Sequence, residues 1–343
     1  MQTLTLLQPG QFALCHEPEP AAPQPGDALV RVHRIGVCGT DLHAYRGKQP
    51  FFTYPRVLGH ELGVEVMALG DKTGTLRVGD RCAVEPYLNC GTCLACRRGK
   101  PNCCAHLRVL GVHTDGGMRT FLHVPVRKLH RSDTATANRL SFEELALVET
   151  LAIGAHAVER AELRPDDTVL VVGAGPIGLS VLEFVKLANV PFVITDRAES
   201  RLAFCRTQLG TERTLLADDN VADRLPDLLN GDLPTVVFDA TGNAASMMRA
   251  FDYVAPGGKL VYVGLFQGDV LFHDPLFHRK EITLLASRNA RPTQFTDIIA
   301  HLEAGRINTR PWLTHRAPLA DVPAHFPTWL DPANGVVKAM IEL

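Results

Sequence analysis

Val169-Leu170-Val171-Val172-Gly173-Ala174-Gly175-Pro176-Ile177-Gly178 is the stretch that decides the fold of this chain. Its first four residues are apolar and mostly β-branched, the pattern of a strand buried on both faces. A G-x-G-x-x-G pattern is weak evidence alone. Here it closes a strand and opens a helix expected over residues 176–188, the context that a dinucleotide turn requires. Gly173 permits the tight turn, Gly175 lets a pyrophosphate approach the backbone, and Gly178 allows close contact between helix and strand. Pro176 and Ile177 begin the helix, where unpaired amides favour an anion.

Outward from this turn the pattern repeats. Strands are expected at 192–195, 215–216, 236–238, 260–263 and 282–285, with a helix over 198–209 stopped by Gly210. Strands alternating with helices predict an α/β doubly wound parallel sheet over residues 151–287. Asp196 follows the second strand, about 20 residues beyond the glycines, where a carboxylate accepts hydrogen bonds from the adenosine ribose and repels a 2′-phosphate. NAD is therefore favoured over NADP, with Arg197 and Arg201 close enough in sequence to soften the preference. Thr241 and Gly264 complete the candidate cofactor residues.

Residues 1–150 read differently. Apolar runs there are short and broken by Pro25-Gly26-Asp27, Val78-Gly79-Asp80 and Asp115-Gly116-Gly117, which predicts a β-rich domain with long loops. Residues 288–343 hold an expected helix at 295–303 and a terminal strand at 336–341, and are expected to return to the first domain.

The composition narrows the function classes. With 343 residues, 46% of them hydrophobic, and a formal net charge of −2, the chain has material for two ordinary cores. It lacks the concentrated basic charge that nucleic acid or an anionic membrane surface would demand. No segment approaches the ~20 uninterrupted apolar residues of a bilayer span, and Met1-Gln2-Thr3-Leu4 does not begin a secretory signal, so the cytoplasm is the expected compartment.

Four of the nine cysteines, Cys90, Cys93, Cys96 and Cys104, stand at short intervals that can close a tetrahedron of thiolates around a structural zinc. Cys15, Cys82, Cys103 and Cys205 have no such spacing and are expected to be small buried residues. A second, dispersed set comprises Cys38 in Gly36-Val37-Cys38-Gly39-Thr40-Asp41-Leu42-His43 and His60-Glu61 in Gly59-His60-Glu61. Thiolate, imidazole and carboxylate together can bind zinc and leave a position open, as a catalytic site needs.

These motifs, in this order, resemble the zinc-dependent medium-chain dehydrogenases, the superfamily of alcohol, sorbitol and threonine dehydrogenases, over essentially the whole chain. The resemblance implies a GroES-like catalytic domain joined to a Rossmann domain, with one catalytic and one structural zinc per chain, and NAD as oxidant. It assigns the catalytic zinc to Cys38, His60 and Glu61, and matches Glu149 in Leu147-Val148-Glu149-Thr150-Leu151 to an acidic residue of the polyol and threonine branch, which reaches the metal directly or through water. That pattern usually has Pro where Thr150 stands. Thr40 and His43 match the residues that relay the hydroxyl proton, and Arg288 matches a substrate-binding arginine whose guanidinium can grip a carboxylate or paired hydroxyls. Lys48, Gln49, Phe51 and His113 are further candidates for the substrate lining.

Within the superfamily, the stretches 47–56, 111–117, 264–268 and 287–290 are most similar to bacterial hexonate dehydrogenases acting on L-galactonate or L-gulonate at C5. The expected reaction is oxidation of such a secondary hydroxyl to the 5-keto acid. A neutral polyol or L-threonine dehydrogenase is the enzyme alternative, and a catalytically silent NAD(H)-binding protein the alternative of another class. The resemblance also implies a homodimer or homotetramer, with 260–263 and 282–285 offered as the associating edge.

Overall fold

The computed structural model describes residues 1–49, 52–71, 74–132, 139–229 and 231–343. Phe51 lies outside the described residues. Two compact units emerge: Met1–Glu149 with Arg291–Leu343, and Thr150–Ala290.

The first unit opens with β1 (Gln2–Gln8), β2 (Gln11–His16), β3 (Asp27–Gly36), α1 (Gly39–Tyr45), β4 (Arg56–Val57), β5 (Glu61–Leu69), β6 (Arg81–Val84) and β7 (Tyr87–Leu88). Then come α2 (Leu94–Arg97), β8 (Arg108–Val109), β9 (Phe121–Pro125), β10 (Leu129–Arg131) and α3 (Phe142–Ala161), within which the unit boundary falls after Glu149. Strand β3 shows why the sheet forms: Ala28, Val30 and Val32 are buried at every second position while Arg31 is exposed. Its register against β5 shifts between Val32 and Arg34, and past that irregularity Ile35 and Gly36 are both buried. The long helix α3 was not foreseen. It is buried along most of its length, so it carries no polar stripe to reveal a helical period.

In the second unit the glycine turn sits between β11 (Val169–Val172) and α4 (Pro176–Ala188), followed by β12 (Phe192–Asp196), α5 (Glu199–Leu209), β13 (Thr214–Leu216), α6 (Val221–Leu228), β14 (Val236–Asp239), α7 (Ala244–Tyr253), β15 (Lys259–Tyr262), α8 (Asp274–Arg279) and β16 (Thr283–Ala286). Six parallel strands run in the order β13-β12-β11-β14-β15-β16. The order reverses between β11 and β14, the place where a doubly wound sheet opens a crevice for a nucleotide. Gly210, with φ of 61°, ends α5 as its sequence position required. One expectation is corrected: β15 pairs on both sides, with β14 and β16, so of these two strands β16 alone lies at an edge of the sheet, the opposite edge being β13.

The last residues add α9 (Pro292–Glu303), β17 (Leu313–Pro318), α10 (Val322–Trp329) and β18 (Lys338–Glu342) to the first unit. Antiparallel to β3, with Met340 opposite Gly36, β18 extends a sheet ordered β10-β6-β5-β3-β18-β17, and β9 also pairs with β3. No helix among the described residues is long and apolar enough to cross a membrane.

Candidate active site and metal centres

The dispersed donor set is assembled by strand pairing. Gly36 ends β3 opposite Glu61, the first residue of β5, and His60 directly precedes it. Cys38 caps α1, its backbone N–H donating to Asp41 Oδ2 at 3.0 Å. The ligand atoms of Cys38, His60 and Glu61 consequently lie within 4.8 Å of one another. Gly36 makes room for them, since a Cβ there would stand 2.0 Å from Glu61 Oε2.

This cluster is chemically suited to a cation. His60 Nδ1 and Asp41 Oδ1 are buried without hydrogen-bond partners and lie 3.7 Å apart, within ion-pair range. Burial works against a charged His60, yet the charges of Asp41 and then Cys38 outweigh it and push its pKa well up. A pocket that draws a proton onto a buried imidazole attracts positive charge, and its thiol, imidazole and carboxyl donors are those zinc takes. Lys338 of β18, itself buried, donates to Glu61 Oε1 at 2.6 Å and Oε2 at 2.7 Å. Glu149, on α3 and also buried, accepts from the Tyr87 hydroxyl at 2.5 Å, and burial pushes its pKa up against the lowering effect of His60.

Asp41, Tyr87 and Lys338 were not foreseen. Of these only Asp41 left a sequence signal, an acid three residues after the helix-capping Cys38. Thr40 lies half-buried on the first turn of α1, and His43 is exposed further along it. Partial burial, and after it the cations of Arg46 and Lys48, lower the His43 pKa from its ordinary 6.5.

The second candidate metal centre is local. Sulfur–sulfur distances are 3.5 Å for Cys93–Cys96, 3.8 Å for Cys93–Cys104 and 3.5 Å for Cys104–Cys90. Metal–sulfur bonds of ~2.3 Å in a tetrahedron give edges of about 3.8 Å, so the thiols stand close to a zinc-ready arrangement. Backbone amides of Cys93, Cys90 and His106 donate to these sulfurs. Hydrogen bonds from Thr92 and Cys93 hold the Cys90 thiol down to about 5, in favour of the thiolate a metal needs. Of the other cysteines, Cys82 and Cys205 are buried as expected, whereas Cys15 and Cys103 are exposed.

In the second unit Gly173 has a φ of +100°, open to few residues besides glycine, and a Cβ on Gly178 would lie 1.7 Å from the Gly173 carbonyl oxygen. Gly175 caps α4, with Pro176 and Ile177 on its first turn. Asp196 Oδ2 accepts from the Ala174 amide at 2.7 Å and Oδ1 from the Ala198 amide at 2.8 Å, which fixes the carboxylate beside the glycine turn. Arg201 Nη1 is 3.6 Å from Asp196, and Arg197 is exposed. Buried Asp239 accepts from the Thr241 hydroxyl at 2.6 Å, and the Thr241 methyl would meet a Cβ on Gly173 at 3.2 Å. Gly264 adjoins Gly242, whose amide a Cβ would approach to 2.2 Å.

Among the substrate candidates, Lys48 is exposed and Gln49 half-buried just beyond α1. His113 Nδ1 accepts from the Val109 amide at 3.2 Å, which ties that nitrogen to its own turn. Arg288 is exposed in the second unit, two residues past β16.

Residues 24–134 match the family model described as alcohol dehydrogenase GroES-like domain, and residues 176–304 match zinc-binding dehydrogenase. The chain is 41% identical to L-galactonate-5-dehydrogenase of Escherichia coli K12 over 300 residues, 87% of each protein. It is 32% identical to L-arabinitol 4-dehydrogenase of Talaromyces emersonii, covering 93% of this chain and 85% of that one. The crystal structure of a short chain alcohol dehydrogenase, RspB, from E. coli CFT073 complexed with NADH superposes with a TM-score of 0.91 at 28% identity, over 100% of this chain and 99% of its own.

Proposed function

The chain belongs to the zinc-dependent medium-chain alcohol dehydrogenase superfamily, and from that premise we propose that it oxidises a secondary hydroxyl of a sugar acid, L-gulonate or L-galactonate at C5, to the 5-keto acid with NAD. The observation that carries this reading is the 41% identity to an L-galactonate-5-dehydrogenase over 87% of both chains. The buried donor set of Cys38, His60 and Glu61 supports the chemistry.

In this reading Cys38 and His60 hold the catalytic zinc with carboxylate from Glu61 or Glu149, and Cys90, Cys93, Cys96 and Cys104 hold a structural one. When bound, zinc supplies Lewis acidity that eases loss of a hydroxyl proton, and NAD supplies the hydride acceptor. Asp41 keeps the His60 ring in one orientation and Lys338 balances the Glu61 charge. Thr40 takes the hydroxyl proton and His43 passes it to solvent, a task suited to an exposed imidazole that stays neutral below the usual range. Gly173, Gly175 and Gly178 admit the pyrophosphate, Thr241 and Gly264 line the same site, and Asp196 takes the adenosine ribose. Arg288 binds the substrate carboxylate, with Lys48, Gln49, Phe51 and His113 as lesser contributors. The exposed edge strand β16, with Leu284 exposed on it and Leu265, Leu271 and Phe272 exposed in the connection from β15 to β16, supports self-association into a dimer or tetramer.

The relative that acts on L-arabinitol supports a second reading, a neutral polyol as substrate. Following NADH formation with hexonates, hexitols and L-threonine separates the two. Turnover of a hexonate at a kcat/KM at least about tenfold above the others is expected, since charge-assisted hydrogen bonds to a carboxylate contribute ~1.5–3 kcal/mol. Turnover of hexitols alone would overturn the role of Arg288, and failure of every alcohol to reduce NAD would leave the silent nucleotide-binding reading.

A further inference from the structure

Tyr87 stands at the junction between the two metal centres. We infer that it is a positioning residue for Glu149, and that through it the stem of the four-cysteine loop is coupled to the buried carboxylate. The inference rests on the reading that Glu149 serves the dispersed metal site.

The geometry has two parts. Tyr87 is 2% exposed, and its hydroxyl donates to Glu149 Oε1 at 2.5 Å, a separation typical of a charge-assisted O–H···O bond. Its backbone forms β7, which pairs with β8 through Tyr87 opposite Val109 and Leu88 opposite Arg108. The chain leaves this stem at Asn89 and returns at Arg108, and all four loop cysteines fall between. Thiolates closing on one ion would therefore draw on the same two strands that carry Tyr87.

The phenol ring is braced from the other side. It meets Phe295 edge-on at 6.2 Å, and Phe295, wholly buried, stacks on His130 at 4.9 Å. His130 Nε2 lies 3.3 Å from Glu85 Oε2, and Lys128 pairs with the other Glu85 oxygen. The β7–β8 stem and Phe295, itself stacked on His130, thus both contact the residue whose hydroxyl meets Glu149. A buried tyrosine that served only packing would not need its oxygen on a carboxylate, and without that oxygen Glu149 Oε1 loses the partner it has in a nearly dry environment.

The test is Tyr87→Phe in the zinc-loaded full chain. Metal retention is measured at each site by dialysis against graded chelator, with the visible spectrum of the cobalt-substituted protein, kcat and KM beside it. The loop metal should stay, the dispersed site should bind about 10- to 100-fold more weakly, as loss of an outer partner does, kcat should fall by about tenfold, and KM for NAD should not move. Phe295→Leu, which unbraces the ring but keeps the hydroxyl, should loosen the site less. Opening the loop with Cys96→Ser should weaken the dispersed site in the parent and add little to Tyr87→Phe, the non-additivity of groups acting through one link. Affinity and kcat within twofold of the parent for Tyr87→Phe, or an equal effect of Phe295→Leu, would overturn the positioning role. Additive effects of Cys96→Ser and Tyr87→Phe would overturn the coupling. Should Glu149→Gln itself leave metal retention and kcat unchanged, the reading of Glu149 falls first; a damaged Glu149→Gln with a silent Tyr87→Phe removes the positioning role alone.

Discussion

The four-cysteine loop and the dispersed site are built by opposite strategies. Within the loop, four like donors come from 15 consecutive residues, Cys90 to Cys104, and local backbone amides satisfy their sulfurs. At the dispersed site, unlike donors come from the cap of α1 (Cys38), the residue before β5 (His60) and the first residue of β5 (Glu61), and the partners of Glu149 and Glu61, Tyr87 and Lys338, lie 62 and 277 residues from the carboxylates they bind. A local site can form wherever its short segment folds. A dispersed one exists only when the sheet has closed around it.

The comparison breaks most visibly if a ligand from each site is removed. His60→Ala should reduce kcat/KM by at least about 10³-fold, because several kcal/mol of Lewis-acid stabilisation disappear and each ~1.4 kcal/mol is tenfold. It should also lower bound zinc from about two to about one per chain while the melting temperature changes little. Cys96→Ser should do the reverse in kind, with early melting and a smaller loss of rate, as expected of a metal that holds structure. Equal kinetic damage from the two would erase the distinction between them.

Lys338→Met probes the burial of the dispersed site. Both members of the Lys338–Glu61 pair are almost fully buried, so deleting one strands the other's charge at a cost of about 3–5 kcal/mol. Urea unfolding should show it. A loss near 1 kcal/mol would mean the pair behaves as a surface bridge.

The smallest effect concerns His43, which belongs to neither set of ligands. Burial, with help from Arg46 and Lys48, lowers its pKa, so its neutral, proton-accepting form persists below the ordinary 6.5. The acid limb of the oxidation rate should accordingly lie below pH 6.5 and move up in Lys48→Ala, which removes one of the lowering cations. An acid limb unaffected by that substitution would take His43 out of the relay.

What the sequence revealed follows the same division. The strand Val169–Val172 and the helix Pro176–Ala188 stand where the apolar run and the glycines placed them, because each signal is local. The four cysteines could be grouped by spacing alone. Helix α3 escaped because it is buried on nearly all sides. The inner position of β15 escaped because strand order is set by tertiary pairing, and an apolar run looks alike at an edge and in the middle. Tyr87 and Lys338 read as an ordinary aromatic and an ordinary surface cation until strands far apart in the chain bring them to Glu149 and Glu61.

That Lys338 lies on β18 also orders events at the ribosome. Glu61 emerges 277 residues before the ammonium it pairs with, an interval of roughly 14 to 55 s at ~5–20 residues per second. Throughout that time the nascent polypeptide must keep this acid hydrated or screened. Burial of Glu61 against Lys338 thus has to wait until β18 has been translated, long after Cys38 and His60 have been made.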